Sequence, residues 1–318
     1  MSTLRPTAPT PLQEVADAEL EQHGVRLFVK RDDLVHPLIP GNKWRKLKYN
    51  IEAARQRSGH TILTFGGAYS NHIFATASAG QVFGFRTVGV IRGEEHLPLN
   101  QVLRHATECG MTLCYMDRTT YRRKYDDDVI RSLHDKHGDF HLLPEGGTNC
   151  LAVRGCAEIV DEIDMTYDYI CCPVGTGGTL SGLIVGLDGK AHALGFSVLK
   201  GGSFLSDDVE RLLQECGAAD HRYRNWSIST DYHFGGFARR TPELRDFVDG
   251  FTRRHGLRLD LVYTGKMMYG IFDLARRGLF DRGATVVALH TGGVPPVADG
   301  GPPLSCCDGE RLGGSDGL

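Results

Sequence analysis

The chain has 318 residues, enough for two domains of ordinary size, with 41% hydrophobic and 24% charged residues, the balance of a globular protein with ample core. A net charge of -3 gives no electrostatic reason to expect nucleic acid or an anionic membrane as partner. No apolar run reaches membrane-spanning length, and the opening MSTLRPTAPTPLQEV lacks the apolar centre of a secretory signal, so a cytoplasmic protein is expected.

The first predicted element is a strand, RLFVK, from Arg26 to Lys30. WRKLKYNIEAARQR then sets apolar side chains at Trp44, Leu47, Ile51 and Ala54, the helical period. TILTF is a strand, and Asn71 to Phe83 a helix rich in Ala and Ser. RTVGVIRG and MTLCYM are strands on either side of a helix from Leu97 to Cys109. Tyr121 to His137 reads as one charged helix, and FHLLPEGG as a short strand and turn. A helix from Asn149 to Ile163, the strand YDYICCPVG and a helix from Gly178 to Leu187 follow. GFSVLKG is a strand, Asp207 to Cys216 and Pro242 to His255 are helices, and ATVVALHTGG closes the pattern. Strands alternating with helices, with near-continuous apolar strands such as TILTF and TVVAL, predict an α/β fold whose parallel sheets are covered on both faces. The Pro-, Gly- and Ser-rich stretch at the end has no periodic apolar face, and residues 296–318 are expected to form a disordered tail.

Nine cysteines, an odd number with no C-x-x-C pair, predict reduced thiols and neither a zinc site nor a disulfide framework. Cys171 and Cys172 are adjacent in a strand, so their side chains face opposite ways.

In open parallel sheets, ligands sit beyond the carboxyl ends of the strands. Four glycine-rich turns fall at such places: Gly66-Gly67, Gly146-Gly147, Gly175 to Gly178, and Gly292-Gly293. In CCPVGTGGTLSGL, a strand runs into Gly175, Thr176, Gly177, Gly178 and Thr179, and then a helix begins. Successive backbone N–H groups, two hydroxyls and the positive helix end suit a phosphate. Neither the Walker A nor the G-x-G-x-x-G spacing is met, and a tight strand-to-helix connection without ligand is the alternative. In PGNKWRKLKYN, Lys46 and Lys48 read as a solvated basic face, whereas Lys43, at the turn before the helix, can reach a crevice. A partly desolvated lysine there would have the lowered pKa that an imine-forming amine needs. In FGGAYSNHIFATA, three polar side chains, Ser70, Asn71 and His72, stand at the mouth of a helix, as caps or as a ligand clamp. A lysine nucleophile, a phosphate cradle and a polar clamp point to pyridoxal 5'-phosphate.

The ordered set GNKxRKL, GGAYSNH, PEGGTN, PVGTGGTLSGL, VYTGKMMYG and HTGG resembles the fold-type II pyridoxal-phosphate enzymes, the tryptophan synthase β-like superfamily. Within it the chain is similar to the group containing 1-aminocyclopropane-1-carboxylate deaminase and D-cysteine desulfhydrase. The resemblance implies two parallel-sheet domains with the cofactor in the cleft between them. The large domain would comprise residues 1–43 and 152–295, and the small one 44–151. It implies that Lys43 is the Schiff-base lysine and that Asn71 lies beside the cofactor's phenolic oxygen. Ser70 and His72 would hold the substrate carboxylate, Ser70 also moving protons. Gly175, Thr176, Gly177, Gly178 and Thr179 would hold the phosphate, and Tyr263 would lie over the ring. Thr264 and Thr291 fall where deaminases of the group carry Glu and Leu and desulfhydrases carry Ser or Thr and then Thr. A hydroxyl makes a weaker electron sink than a carboxylate, enough to expel a good leaving group such as sulfide. The implied reaction is α,β-elimination from a small amino acid, D-cysteine first, with cyclopropane opening or elimination from cysteate as alternatives. A non-catalytic phosphate-binding protein on the same scaffold is a further alternative. Tyr232, in YHFGGFA, falls where the family has an active-site tyrosine, although its usual proline and second tyrosine are missing, and His233 reads as a surface side chain. A homodimer is implied by the same resemblance.

Overall fold

The computed structural model of the chain describes residues 9–39, 41–56 and 60–293, so the stretch 296–318 lies outside the described residues. The chain starts with β1 (Leu12–Val15), α1 (Ala18–Gln22) and β2 (Arg26–Lys30). Next come α2 (Asn42–Arg55), β3 (Thr61–Gly66), α3 (Asn71–Phe83), β4 (Arg86–Arg92), α4 (Gln101–Glu108) and β5 (Thr112–Met116). They are followed by α5 (Arg118–Arg122), α6 (Asp127–His137), β6 (His141–Leu143), α7 (Cys150–Asp161), β7 (Tyr169–Val174) and α8 (Gly178–Leu187). The last elements are β8 (His192–Ser197), α9 (Phe204–Glu215), β9 (Trp226–Ser229), α10 (Pro242–His255), α11 (Thr264–Arg276) and β10 (Thr285–Leu289).

The strands form two sheets. Six run in the order β1-β2-β10-β7-β8-β9 and four in the order β5-β4-β3-β6. Every pairing is parallel except that of the edge strand β1, which runs antiparallel to β2 because only the short α1 connects them. Side-chain alternation puts Leu27, Val29 and Cys171 on one face of the larger sheet, against Phe251, Met268 and Phe272. Phe28, Ile170 and Cys172 take the other face, against Ile159, Leu183 and Val209. The smaller sheet is likewise covered twice, by α2 and α3 on one side and α6 on the other. No described helix is long and apolar enough to cross a membrane.

Three differences from the sequence reading have physical causes. The charged segment after β5 is two helices, because Asp117 caps α5 and a turn at Lys124 to Asp126 separates it from α6. α11 is absent from the sequence reading: ten of its thirteen residues are buried, Lys266 among them, so little of its length is polar surface. Cys150, at the start of α7, is joined by a disulfide to Cys216, which ends α9. The two are 66 residues apart, and only the packing of both helices on one sheet face makes them neighbours, so no short spacing announces the pair. Cys114, Cys156, Cys171 and Cys172 are free thiols.

A charge network ties α2 to the larger sheet. Arg45 donates to both oxygens of Asp32, at 3.1 and 2.9 Å, and to both oxygens of Glu162. Lys30, fully buried, donates to Glu162 at 2.7 Å and to the Thr10 carbonyl at 2.5 Å. Burial alone would raise the Glu162 carboxyl, but hydrogen bonds from Arg45 and Lys30 overcome it and hold the group at about 2, against an ordinary 4.5. Because the folded-state value is the lower one, this stabilisation is complete above pH 4.5 and is lost as pH falls through about 2. Glu162→Gln is therefore expected to lower unfolding free energy by about 3 kcal/mol at neutral pH, with the gap to wild type closing in acid. Urea titrations at a series of pH values measure it, and equal midpoints at pH 7 would show the network to be inert.

Candidate active site

The carboxyl ends of both sheets open onto one cleft of about 1200 Å³. Its lining includes Lys43, Ser70, Asn71, His72, Gly175 to Thr179, Tyr263 and Thr291.

Lys43 owes its place to the two residues before it. Gly41 has φ 56° and ψ -139°, a backbone that only glycine adopts freely, and a Cβ there would lie 1.8 Å from the Thr291 carbonyl oxygen. The Asn42 amide donates to that carbonyl at 3.2 Å, and Asn42 Nδ2 donates to Thr179 Oγ1 at 2.7 Å. Residues 41 and 42 thus pin α2 to the end of β10 and to the start of α8. The helix already begins at Asn42, so Lys43 lies inside its first turn rather than in the turn ahead of it. Among the described residues, no acceptor lies within hydrogen-bond or ion-pair reach of its amine. Burial, and then the charge of Lys46, draw the Lys43 pKa down from 10.5 to about 7.

Lys46 corrects the sequence reading. It is not on a solvated face: it is 2% exposed and donates to the Gly146 carbonyl at 3.0 Å and to Thr148 Oγ1 at 3.2 Å. A Cβ on Gly178 would lie 3.0 Å from its Nζ, so a second cation stands beside the glycine loop. Lys46 shares a helix face with Lys43, three residues before it, but that spacing alone does not tell a covered amine from a solvated one. Lys48 pairs with Glu158.

The polar triplet divides its labour. Ser70 caps α3, its Oγ accepting from the His72 and Ile73 amides at 3.2 and 3.4 Å, while Asn71 and His72 open the helix. His72 is buried, with Nε2 2.8 Å from Thr64 Oγ1 and, among the described residues, no partner for Nδ1. Burial and the charges of Lys43 and Lys46 push its pKa well below 6.5, so the ring is neutral at physiological pH. Opposite, Gly177, with φ 77°, leads into α8, and the Thr176 hydroxyl bonds that of Thr148 at 2.6 Å.

Tyr263 precedes α11, and a Cβ on Gly175 would lie 3.5 Å from its ring. Burial raises its phenol, which stays protonated. Asp260 holds this corner, accepting from the Tyr263 amide at 2.6 Å, the Thr264 amide at 3.0 Å and Thr264 Oγ1 at 2.6 Å. Thr291 lines the cleft, whereas Thr264 is fully buried behind the wall. Tyr232 is a second correction: it does not line the cleft, but packs in the core and donates to Asp273 at 2.8 Å. Phe237, five residues on, takes the cleft position, with its ring 6.0 Å from that of Tyr263 in an edge-on arrangement. The glycines between them turn the chain, which a reading by residue type alone could not anticipate.

The donor set fits a phosphorylated aldehyde. An unpartnered amine of lowered pKa could form an imine, and the amides of 175–179 with Lys46 could hold the phosphate. Residues 4–292 match the family model described as "Pyridoxal-phosphate dependent enzyme". The chain is 34% identical, over 90% of its length and 89% of the relative's, to a Pyrococcus furiosus protein named "Putative 1-aminocyclopropane-1-carboxylate deaminase". It is 27% identical to a D-cysteine desulfhydrase of Klebsiella pneumoniae, covering 91% and 93% of the two chains. A crystal structure of a 1-aminocyclopropane-1-carboxylate deaminase homologue superposes with TM-score 0.77 at 28% identity, covering 91% of each chain.

With the Lys43 pKa at about 7, uptake of pyridoxal phosphate by cofactor-stripped protein is expected to accelerate as pH rises through 7. Absorbance stopped-flow at several pH values measures this; acceleration only near pH 10, as for an ordinary lysine, would mean that the amine is solvated.

Proposed function

The chain belongs to the pyridoxal-phosphate dependent enzymes, and from that premise we propose that it is a lyase that eliminates the β-substituent of a small amino acid, D-cysteine first. The products are pyruvate, ammonia and sulfide. The observation that carries the proposal is Lys43: a half-buried amine facing the cleft, its pKa drawn down to about 7, with no acceptor of its own among the described residues and an anion-binding loop across the cleft.

Pyridoxal phosphate, when bound, supplies an aldehyde that takes up an amine and a ring that withdraws electrons from the substrate Cα. Lys43 would hold the cofactor, and its free amine would remove the substrate Cα proton. Ser70 is the second group able to move that proton, because its Oγ accepts from two amides and its hydroxyl donates to no acceptor among the described residues. Asn71, neutral His72 and the amides opening α3 hold the substrate carboxylate. Gly175, Thr176, Gly177, Gly178, Thr179 and Lys46 hold the phosphate, and Tyr263 flanks the ring. Thr264 already donates its proton to Asp260, and Thr291 offers only an alcohol, so neither supplies the carboxylate of a deaminase. That composition supports elimination of a good leaving group over cyclopropane opening. We assign residues 1–43 and 152–295 to the large domain and 44–151 to the small one.

The second reading, deamination of 1-aminocyclopropane-1-carboxylate, draws support from the name of the Pyrococcus relative. A substrate panel separates the two readings. Sulfide and pyruvate are expected from D-cysteine, with little 2-ketobutyrate from the cyclopropane; dominant ketobutyrate would favour deamination, and sulfite from cysteate a sulfonate substrate. Lys43→Ala is expected to lower turnover by roughly 10³-fold or more. Wild-type rates in that variant would remove the proposal altogether. We further propose a cytoplasmic homodimer. Non-reducing peptide mapping of protein from the native cell tests the compartment: Cys150 and Cys216 are expected as thiols there, and a bonded pair would contradict the cytoplasmic assignment.

A further inference from the structure

We propose that Lys266 is a positioning residue that fixes the 233–238 loop as the cleft wall facing the substrate's side chain; this rests on the lyase reading above. Lys266 lies in the first turn of α11, is fully buried, and is not among the residues lining the cleft. Its amine donates to two carbonyls of one loop, those of His233 at 2.9 Å and Gly236 at 2.8 Å. No carboxylate lies within ion-pair reach among the described residues; Asp260 acts on it only at longer range.

The loop needs such a clamp. Phe234 and Ala238 have φ of 51° and 56°, a region that non-glycine residues enter only at a cost, and Gly235 and Gly236 between them are at 90° and 121°. A segment in these conformations persists only where its surroundings impose them. Two charge-assisted bonds, one to the carbonyl at the start of the bend and one to a carbonyl in its middle, reinforce the turn's own amide bonds, from Gly236 to the His233 carbonyl at 3.0 Å and from Arg239 to the Gly236 carbonyl at 3.2 Å.

What the bend presents is functional surface. Phe237 is 41% exposed, lines the cleft with Ala238, and stands edge-on to Tyr263. Tyr263 and Lys266 are three residues apart at the start of α11. Tyr263, just ahead of the helix, and Lys266, in its first turn, thus join the ring that flanks the cofactor to the amine that sets the neighbouring stretch of wall. The reacting groups lie elsewhere, so loss of the clamp should loosen substrate fit and leave the chemistry and cofactor loading alone.

The test uses the cofactor-loaded enzyme with D-cysteine, or whichever panel substrate is turned over. Lys266→Met and Phe237→Ala are each expected to raise KM roughly tenfold with kcat within about threefold, and the double variant no further, since both act on one wall. The cofactor's visible absorbance should match wild type in all three. Trypsin should cut after Arg239 and Arg240, both exposed just beyond the loop, faster in Lys266→Met than in wild type. A folded Lys266→Met enzyme with wild-type KM and wild-type trypsin resistance would overturn the proposal, as would additive effects in the double variant. Should Lys266→Met fail to fold, Lys266→Gln replaces it, and an unchanged KM in Phe237→Ala overturns the wall on its own. A wild-type protein without visible cofactor absorbance or turnover would instead sink the lyase reading, while the trypsin comparison would still report on the clamp.

Discussion

The cleft depends on a latch two residues long. Gly41 presses its α-carbon so close to the Thr291 carbonyl that no side chain fits between them. Asn42 then bonds the end of β10 with its backbone and the start of α8 with its side chain. From there each residue of the first helical turn faces a different neighbour. Lys43 enters the cleft, Arg45 grips Asp32 and Glu162 behind it, and Lys46 reaches the turn after β6. The helical rotation of about 100° per residue distributes these contacts. A shift of the helix start by one residue would send Lys43 toward the place of another contact.

The electrostatics of the cleft follow from that arrangement. Lys43 and Lys46 are brought together in a poorly hydrated space that also holds the amino-terminal end of α8. Burial first, and then the charge of Lys46, make Lys43 a weaker base, and burial with the charges of both lysines holds His72 neutral. The accumulated positive potential calls for an anion, and a phosphate and a carboxylate are what a phosphorylated cofactor and an amino acid bring. The same buried charges would destabilise a protein that had no use for them. That is a physical reason to read the site as built for ligands rather than for stability.

Much of this was legible in the sequence because it rests on local chemistry. The bounds of α3, α8 and α10 could be read from period and caps, since Ser70 and Thr241 each sit one residue ahead of their helix and Pro242 suits a first turn. The glycine loop after β7 falls at a strand end, where parallel sheets place their ligands. What was illegible depends on tertiary placement. A lysine on a helix reads as solvated until something is packed over it, and Lys46 is covered by the turn after β6. Tyr232 and Phe237 are five residues apart on a bent loop, and residue type favours the tyrosine while the bend favours the phenylalanine. Cys150 and Cys216 meet only because two helices share a sheet face.

Three lysines of lowered pKa, the half-buried Lys43 and the buried Lys46 and Lys266, compete for the role of cofactor-bearing amine. The last two already donate to carbonyls or hydroxyls, and only Lys43 has no partner among the described residues. Borohydride reduction of the cofactor-loaded protein, followed by digestion and mass mapping, identifies the amine directly. The account predicts the pyridoxyl mass on the peptide carrying Lys43 and nowhere else; the same mass on Lys46 or Lys266, with Lys43 unmodified, would contradict it.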